Sequence, residues 1–208
     1  MSMTKNIIDA LKNQGIKADS AQLSLIEALS KIKTNKNFTN AIWRFTRDEN
    51  LGIYIWGDVG RGKTLIVNEF VNQLQDTRVK SFHYIDFMSF VHDELNSSCG
   101  KKDPLKNVSN KIAYKCNIIF IDEFQVEDVA DAMIVTDILE RILNIGLKII
   151  ITSNAHPDNL YQDGLQRQKF IKSIQNCTKK LDIFNLNGDT DYRTKNIIEL
   201  DSNKKNIY

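Results

Sequence analysis

Apolar residues along this chain fall into two alternating rhythms. Leu23, Ile26, Leu29 and Ile32 recur at helical spacing, and residues 6 to 33 read as helical with Asp19 or Ser20 available as an N-cap. A polar stretch, Thr34 to Thr39, leads to five short β-rich runs at 51 to 56, 80 to 85, 117 to 122, 147 to 152 and 181 to 186. The runs at 117 and 147 are apolar on successive residues, as central parallel strands covered on both faces are. Between the runs lie helical patterns. One, 63 to 75, lines up Ile66, Phe70 and Leu74; another, 128 to 145, lines up Ile134, Ile138, Ile142 and Ile145 and stops at Gly146. The alternation predicts an α/β fold with a mostly parallel five-stranded sheet between helices. With no internal repeat or low-complexity linker, residues 1 to 50 read as an N-terminal helical segment packing on a core of 51 to 208.

Composition narrows the class without naming a partner. The 208 residues, 42% hydrophobic and 26% charged, suit one domain with a sizeable core. A net charge of +2 with scattered basic residues argues against nucleic acid or an anionic membrane as the main target. Lys101-Lys102 and Lys204-Lys205 read as solvated surface. Cys99, Cys116 and Cys177 form no C-x-x-C pair, which supports neither a zinc site nor a disulfide framework and fits a reducing, cytoplasmic setting. His83, His92 and His156 lack metal-ligand spacing and read as structural or surface residues. No apolar run approaches the roughly 20 residues of a spanning helix, and the N-terminus carries neither a signal-peptide core nor a transit pattern.

The chemistry sits at the ends of the β-rich runs. Gly57-Asp58-Val59-Gly60-Arg61-Gly62-Lys63-Thr64 matches G-x-x-x-x-G-K-[ST] between a strand-like run and a helical pattern, the arrangement that binds a nucleoside triphosphate. The glycines let backbone N–H groups turn towards the phosphates, and the helix N-terminus adds positive potential. Lys63 reaches the β- and γ-phosphates, and Thr64 ligates Mg²⁺. The run 117 to 122 ends in Asp122-Glu123, a Walker B pattern: Asp122 holds Mg²⁺ through water, and Glu123 polarises the attacking water. A Glu directly after the Asp points to hydrolysis rather than phosphoryl transfer to a metabolite. The next run ends Thr152-Ser153-Asn154; if it lies between the two motif strands, Asn154 can orient the same water. Arg167, near the start of a helix, is either a surface arginine or a finger offered to a neighbouring subunit's γ-phosphate.

With these residues in hand, the chain resembles the AAA+ family that contains the bacterial cell-division ATPase ZapE and its mitochondrial relatives. The likeness runs from about Asp19 to Arg193. It includes D-x-x-Q at Asp19, GDVGRGKT at Gly57, FMSFVH at Phe87, DPL at Asp103, IDEFQVEDVADAMI at Ile121, TSN at Thr152, P-x-x-LY-x-x-GLQR-x-x-F at Pro157 and TDYR at Thr190. The resemblance implies a P-loop NTPase of the AAA+ type, an oligomeric and hexameric Mg·ATPase acting in division-ring control or protein quality control, with FtsZ as the partner implied for ZapE. It assigns Arg167 a role in trans. Family members continue past TDYR into a helical lid with a sensor arginine, whereas a short segment follows Arg193 here. The expectation is therefore a core without its lid, which oligomerises on ATP or assembles with a lid-supplying chain. Asn68 and Ala155 replace an acidic residue and an arginine usual in the family. Two rivals stand beside this reading: an ATP-dependent scaffold with little turnover, and a helicase-loader-like ATPase acting with DNA.

Overall fold

A computed structural model describes residues 2–32, 51–74 and 77–187. Strands β1 (Gly52–Trp56), β2 (Val79–His83), β3 (Ile118–Asp122), β4 (Lys148–Ser153) and β5 (Asp182–Asn185) form one parallel sheet in the order β2-β3-β4-β1-β5. Trp56 pairs with Ser153, and His83 with Asp122, so the carboxyl ends of the strands come level along one edge of the sheet. Ligands of open α/β sheets bind at that edge. The predicted alternation and sheet are present, with strand limits shifted by one or two residues.

Helices cover both faces. On one, α1 (Met3–Asn13), α2 (Ser20–Ser30) and α3 (Lys63–Asn72) bury Ile7, Leu11, Leu25, Ile26, Leu29, Ile66 and Phe70 against Ile53, Ile55, Phe120 and Ile150. On the other, α4 (Tyr84–Ser97), α5 (Pro104–Lys115), α6 (Val129–Asn144) and α7 (Arg167–Thr178) pack Phe87, Val91, Ile112, Ile138, Ile142 and Phe170 against Tyr54, Ile119, Ile121 and Ile149. Alternate residues of the strands therefore serve opposite cores, which is why these strands read as unbroken apolar runs.

The single helix expected over 6 to 33 is two helices. α1 ends at the Gln14–Gly15 turn, and α2 restarts at Asp19, whose carboxylate accepts from Gln22 N while the Gln22 side chain accepts from Asp19 N. That reciprocal capping box satisfies two otherwise unpaired N–H groups, and it settles the cap on Asp19 rather than Ser20. Asp103 and Asp128 cap α5 and α6 through their carboxylates alone, which accept from Lys106 N and from Ala130 N and Asp131 N. Burial pushes the thiols of Cys116 and Cys177 up to about 11 and about 12, which keeps both in the unreactive protonated form. The stretch Thr34 to Thr39, the TDYR motif and any lid beyond it lie outside the described residues.

Candidate active site

β1 delivers the glycine-rich loop, and α3 begins at Lys63, so the positive end of the helix faces the loop. Gly62 takes φ of 81°, a left-handed conformation that strains any residue with a Cβ, and a Cβ there would stand 3.1 Å from Gln22 Nε2. Lys63 is 8% exposed, and its Nζ donates to Gly57 O (2.6 Å), Asp58 O (2.8 Å) and Asn154 Oδ1 (3.0 Å). Thr64 Oγ1 donates to Asp122 Oδ1 at 2.8 Å. Four of the residues named from the sequence thus meet as two hydrogen-bonded pairs, side by side through the adjacent Lys63 and Thr64. β4 lies between β1 and β3, the condition that Asn154 required. A hydroxyl and a carboxylate this close form a hard-oxygen donor set of the kind Mg²⁺ takes, so the residues fit that ion.

The backbone turns sharply after β3. Glu123 adopts φ of 54°, a left-handed conformation costing about 1 kcal/mol for a non-glycine residue, and the turn sends Phe124 into the core against Tyr84. Thr152 holds this turn: its hydroxyl donates to Asp122 Oδ1 and accepts from Glu123 N (3.1 Å), and its carbonyl accepts from Phe124 N (2.8 Å). His83, at the end of β2, donates through Nε2 to Glu123 Oε2 at 3.0 Å, with both side chains well exposed. Thr152 and His83 were missed as site residues. Thr152 looked like strand residue alone, and the His83–Glu123 contact exists only because β2 and β3 pair in register.

The loop after β4 is pinned from below. Tyr54 OH donates to Ala155 O at 2.9 Å, and burial pushes that phenol's pKa up, so it keeps its proton. Ser153 Oγ donates to Phe124 O, tying the two loops together. Glu123, Asn154 and Tyr161 line an open groove of about 310 Å³ beside the cluster. Asn68 is on the exposed side of α3. His92 meets Asp131, and His156 packs edge-on against Trp56.

Two residues named for the site stand apart from the cluster. Arg167 opens α7; its Nη2 donates to Asp158 O at 2.5 Å, and its Nε is buried without a hydrogen-bond partner among the described residues. Its approach is rigid: Tyr161 and Gln166 both take left-handed φ, and the Tyr161 ring lies over Gly164 and against Phe170. Arg61, inside the glycine-rich loop, turns its guanidinium to the interior, where it is 2% exposed. There Nε donates to Leu186 O (3.0 Å) and Nη2 to Asp19 Oδ2 (2.9 Å), while Arg61 O accepts from Gln22 Nε2 (3.0 Å).

A parallel sheet in this order, a glycine-rich loop between β1 and α3, and an aspartate ending β3, with β4 between the two motif strands, define a P-loop ATPase of the AAA+ class. The model of the AFG1-like ATPase family matches residues 1–203, and the chain belongs to that family. It is 34% identical over 148 residues to the cell division protein ZapE of Escherichia coli K12, a match covering 71% of this chain and 40% of ZapE. It is also 36% identical over 155 residues to lactation elevated protein 1 homolog B of Danio rerio, covering 69% of this chain and 31% of that protein. The chain thus spans well under half the length of these relatives.

Among solved structures, AMPPCP-bound DnaA from Aquifex aeolicus superposes with a TM-score of 0.58 at 18% identity, over 90% of this chain and 53% of that one. The DnaC helicase loader does so at 0.54 and 12%, over 82% and 92%. At such identities the likeness is one of fold. Among the described residues, no helix is long and apolar enough to cross a membrane.

Proposed function

We propose that this ATPase couples Mg²⁺-dependent ATP hydrolysis to the remodelling of a protein partner, and that Lys63, Thr64, Asp122, Glu123 and Asn154 carry the reaction. The observation behind this reading is the pair of bonds from the start of α3, Lys63 to Asn154 and Thr64 to Asp122, which tie the helix to the carboxyl ends of β4 and β3. The Lys63 ammonium is held by three oxygen acceptors and is close to dry. On ATP arrival it exchanges the Asn154 amide for phosphate oxygens, which releases Asn154 to align the attacking water. Thr64 and Asp122 are the residues that would hold Mg²⁺, which supplies charge neutralisation on the β- and γ-phosphate oxygens. Glu123, turned outward by its left-handed backbone and held by His83, takes the proton from water. Arg167 serves the γ-phosphate of a neighbouring copy. The match to ZapE supports a partner in the division machinery, and FtsZ is the first protein to test.

Two variants test the core of this reading. Lys63→Ala is expected to abolish ATP binding by titration calorimetry, because it removes the ammonium that faces the phosphates. Glu123→Gln is expected to bind ATP normally and lose about 10² to 10⁴ in turnover, the usual contribution of a general base. Wild-type affinity in the first variant, or wild-type turnover in the second, would refute the assignment.

A further inference from the structure

We propose that Asp19 and Gln22, about forty residues upstream of the phosphate loop, are positioning residues for nucleotide binding that fix the loop's peptide orientations from behind. This rests on the reading of Gly57 to Thr64 as the nucleotide site.

The geometry starts from the buried Arg61. A guanidinium 2% exposed needs strong partners, because an unpaired buried charge is strongly destabilising. Its partners are themselves fixed: Asp19 by the capping box with Gln22, and Leu186 by its N–H bond to Trp56 O at 2.8 Å. Gln22, 3% exposed, commits both ends of its amide, Oε1 accepting from Asp19 N and Nε2 donating to Arg61 O. That second bond carries the consequence. The carbonyl of Arg61 and the N–H of Gly62 belong to one planar trans peptide and point in opposite directions. Holding the carbonyl towards α2 therefore aims the Gly62 N–H towards the hollow where the β-phosphate binds.

The first peptide of the loop is set by the same rule. Gly57 O accepts from Lys63 Nζ inside the loop, while Asp58 N points outward to Asn187 Oδ1 at 2.7 Å. The loop is thus held from two segments distant in sequence, α2 and the end of β5. Bonds from Asn6 to Gln73 and from Gln14 to Glu69 further tie α1 and its end to α3 and its end.

The test uses the full chain and compares Gln22→Glu, which keeps the shape and the Asp19 N acceptor but can no longer donate to Arg61 O, with Asp19→Asn, which keeps the cap and removes the ion pair. The dissociation constant and KM for ATP should rise about tenfold in Gln22→Glu and about fivefold in Asp19→Asn, as expected for losing a hydrogen bond to a shared network. kcat at saturating ATP should stay within about twofold, because no group at the reacting phosphate has changed. The double variant should lose less than the product of the two, since both act through Arg61. ATP should also slow hydrogen exchange in α2 of the wild type, and should do so less in either variant. If both variants melt earlier without nucleotide yet bind ATP as the wild type does, the contacts are merely structural and the proposal falls. Lys63→Ala runs alongside: normal ATP binding by that variant would remove the phosphate-loop reading itself. Loss of binding there with wild-type affinity in both positioning variants would overturn this proposal alone.

Discussion

Arg61 and Arg167 both sit in short glycine-containing motifs near the carboxyl edge of the sheet, yet their guanidinium groups end in opposite conditions. Arg61 is buried, and donates to Asp19 and to the Leu186 carbonyl. Arg167 is half-buried, holds one main-chain oxygen, and leaves its Nε unmatched among the described residues. A donor satisfied inside its own chain shapes that chain. A donor left unmatched costs about 1–3 kcal/mol, so the Arg167 side chain can leave its resting rotamer at small cost when something outside the chain offers a better acceptor. Two arginines of similar motif context thus divide into one that holds the loop and one that is free to reach out.

The largest test of that division is Arg167→Ala. Turnover should fall by about 10³ or more, roughly 4 kcal/mol, with ATP affinity unchanged, and adding Glu123→Gln subunits should restore part of it. A loss below about threefold would return Arg167 to the surface. Arg61→Ala should do the reverse. Urea unfolding without nucleotide should show about 2–4 kcal/mol of lost stability, because Asp19 loses its partner and the core gains a void. Arg167→Ala in the same assay should stay within about 0.5 kcal/mol. If the two variants lose similar stability, the contrast is wrong. The smallest effect is expected from Gly164→Ala. The new Cβ would fall 1.9 Å from Tyr161 Cζ, so the ring has to shift, at about 1–2 kcal/mol in thermal unfolding. Turnover should fall with it, because the same packing leads into Arg167. A stable, fully active Gly164→Ala would mean that Arg167 is positioned without the Tyr161 ring.

The centre of the sheet was legible because β1, β3 and β4 are buried on both faces, whereas the edge strands β2 and β5 are largely exposed. The run at 117 to 122 announces β3 (Ile118–Asp122), and 147 to 152 announces β4 (Lys148–Ser153). The break between α1 and α2 was also written in the chain, as Gly15 followed by Asp19-x-x-Gln22, but hydrophobic spacing alone runs across it. Lys63, Thr64, Asp122 and Asn154 could be named from spacing because each lies at the end of a strand or in the loop-to-helix turn that a strand leads into. What spacing could not convey was contact across strands or layers. His83 meets Glu123 through the β2–β3 register, and Arg61 meets Asp19 through the packing of α2 behind the loop. Neither pair has a periodic signature.

The strand order also sets a timetable for synthesis. β1 is made first of the five strands but lies between β4 and β5, with Gly52 paired to Ile149 and Ile53 to Asp182. Its partners leave the ribosome roughly 100 and 130 residues later, a separation that makes pairing slow and leaves apolar edges open to aggregation meanwhile. Until β5 emerges, Leu186 and Asn187 are not there to receive Arg61 and Asp58, so a nascent chain stalled before Leu181 carries the phosphate-loop sequence with its α2 contacts but without those at the end of the sheet. The first strand to be made is among the last to find all its partners, and chaperone dependence should peak over that interval.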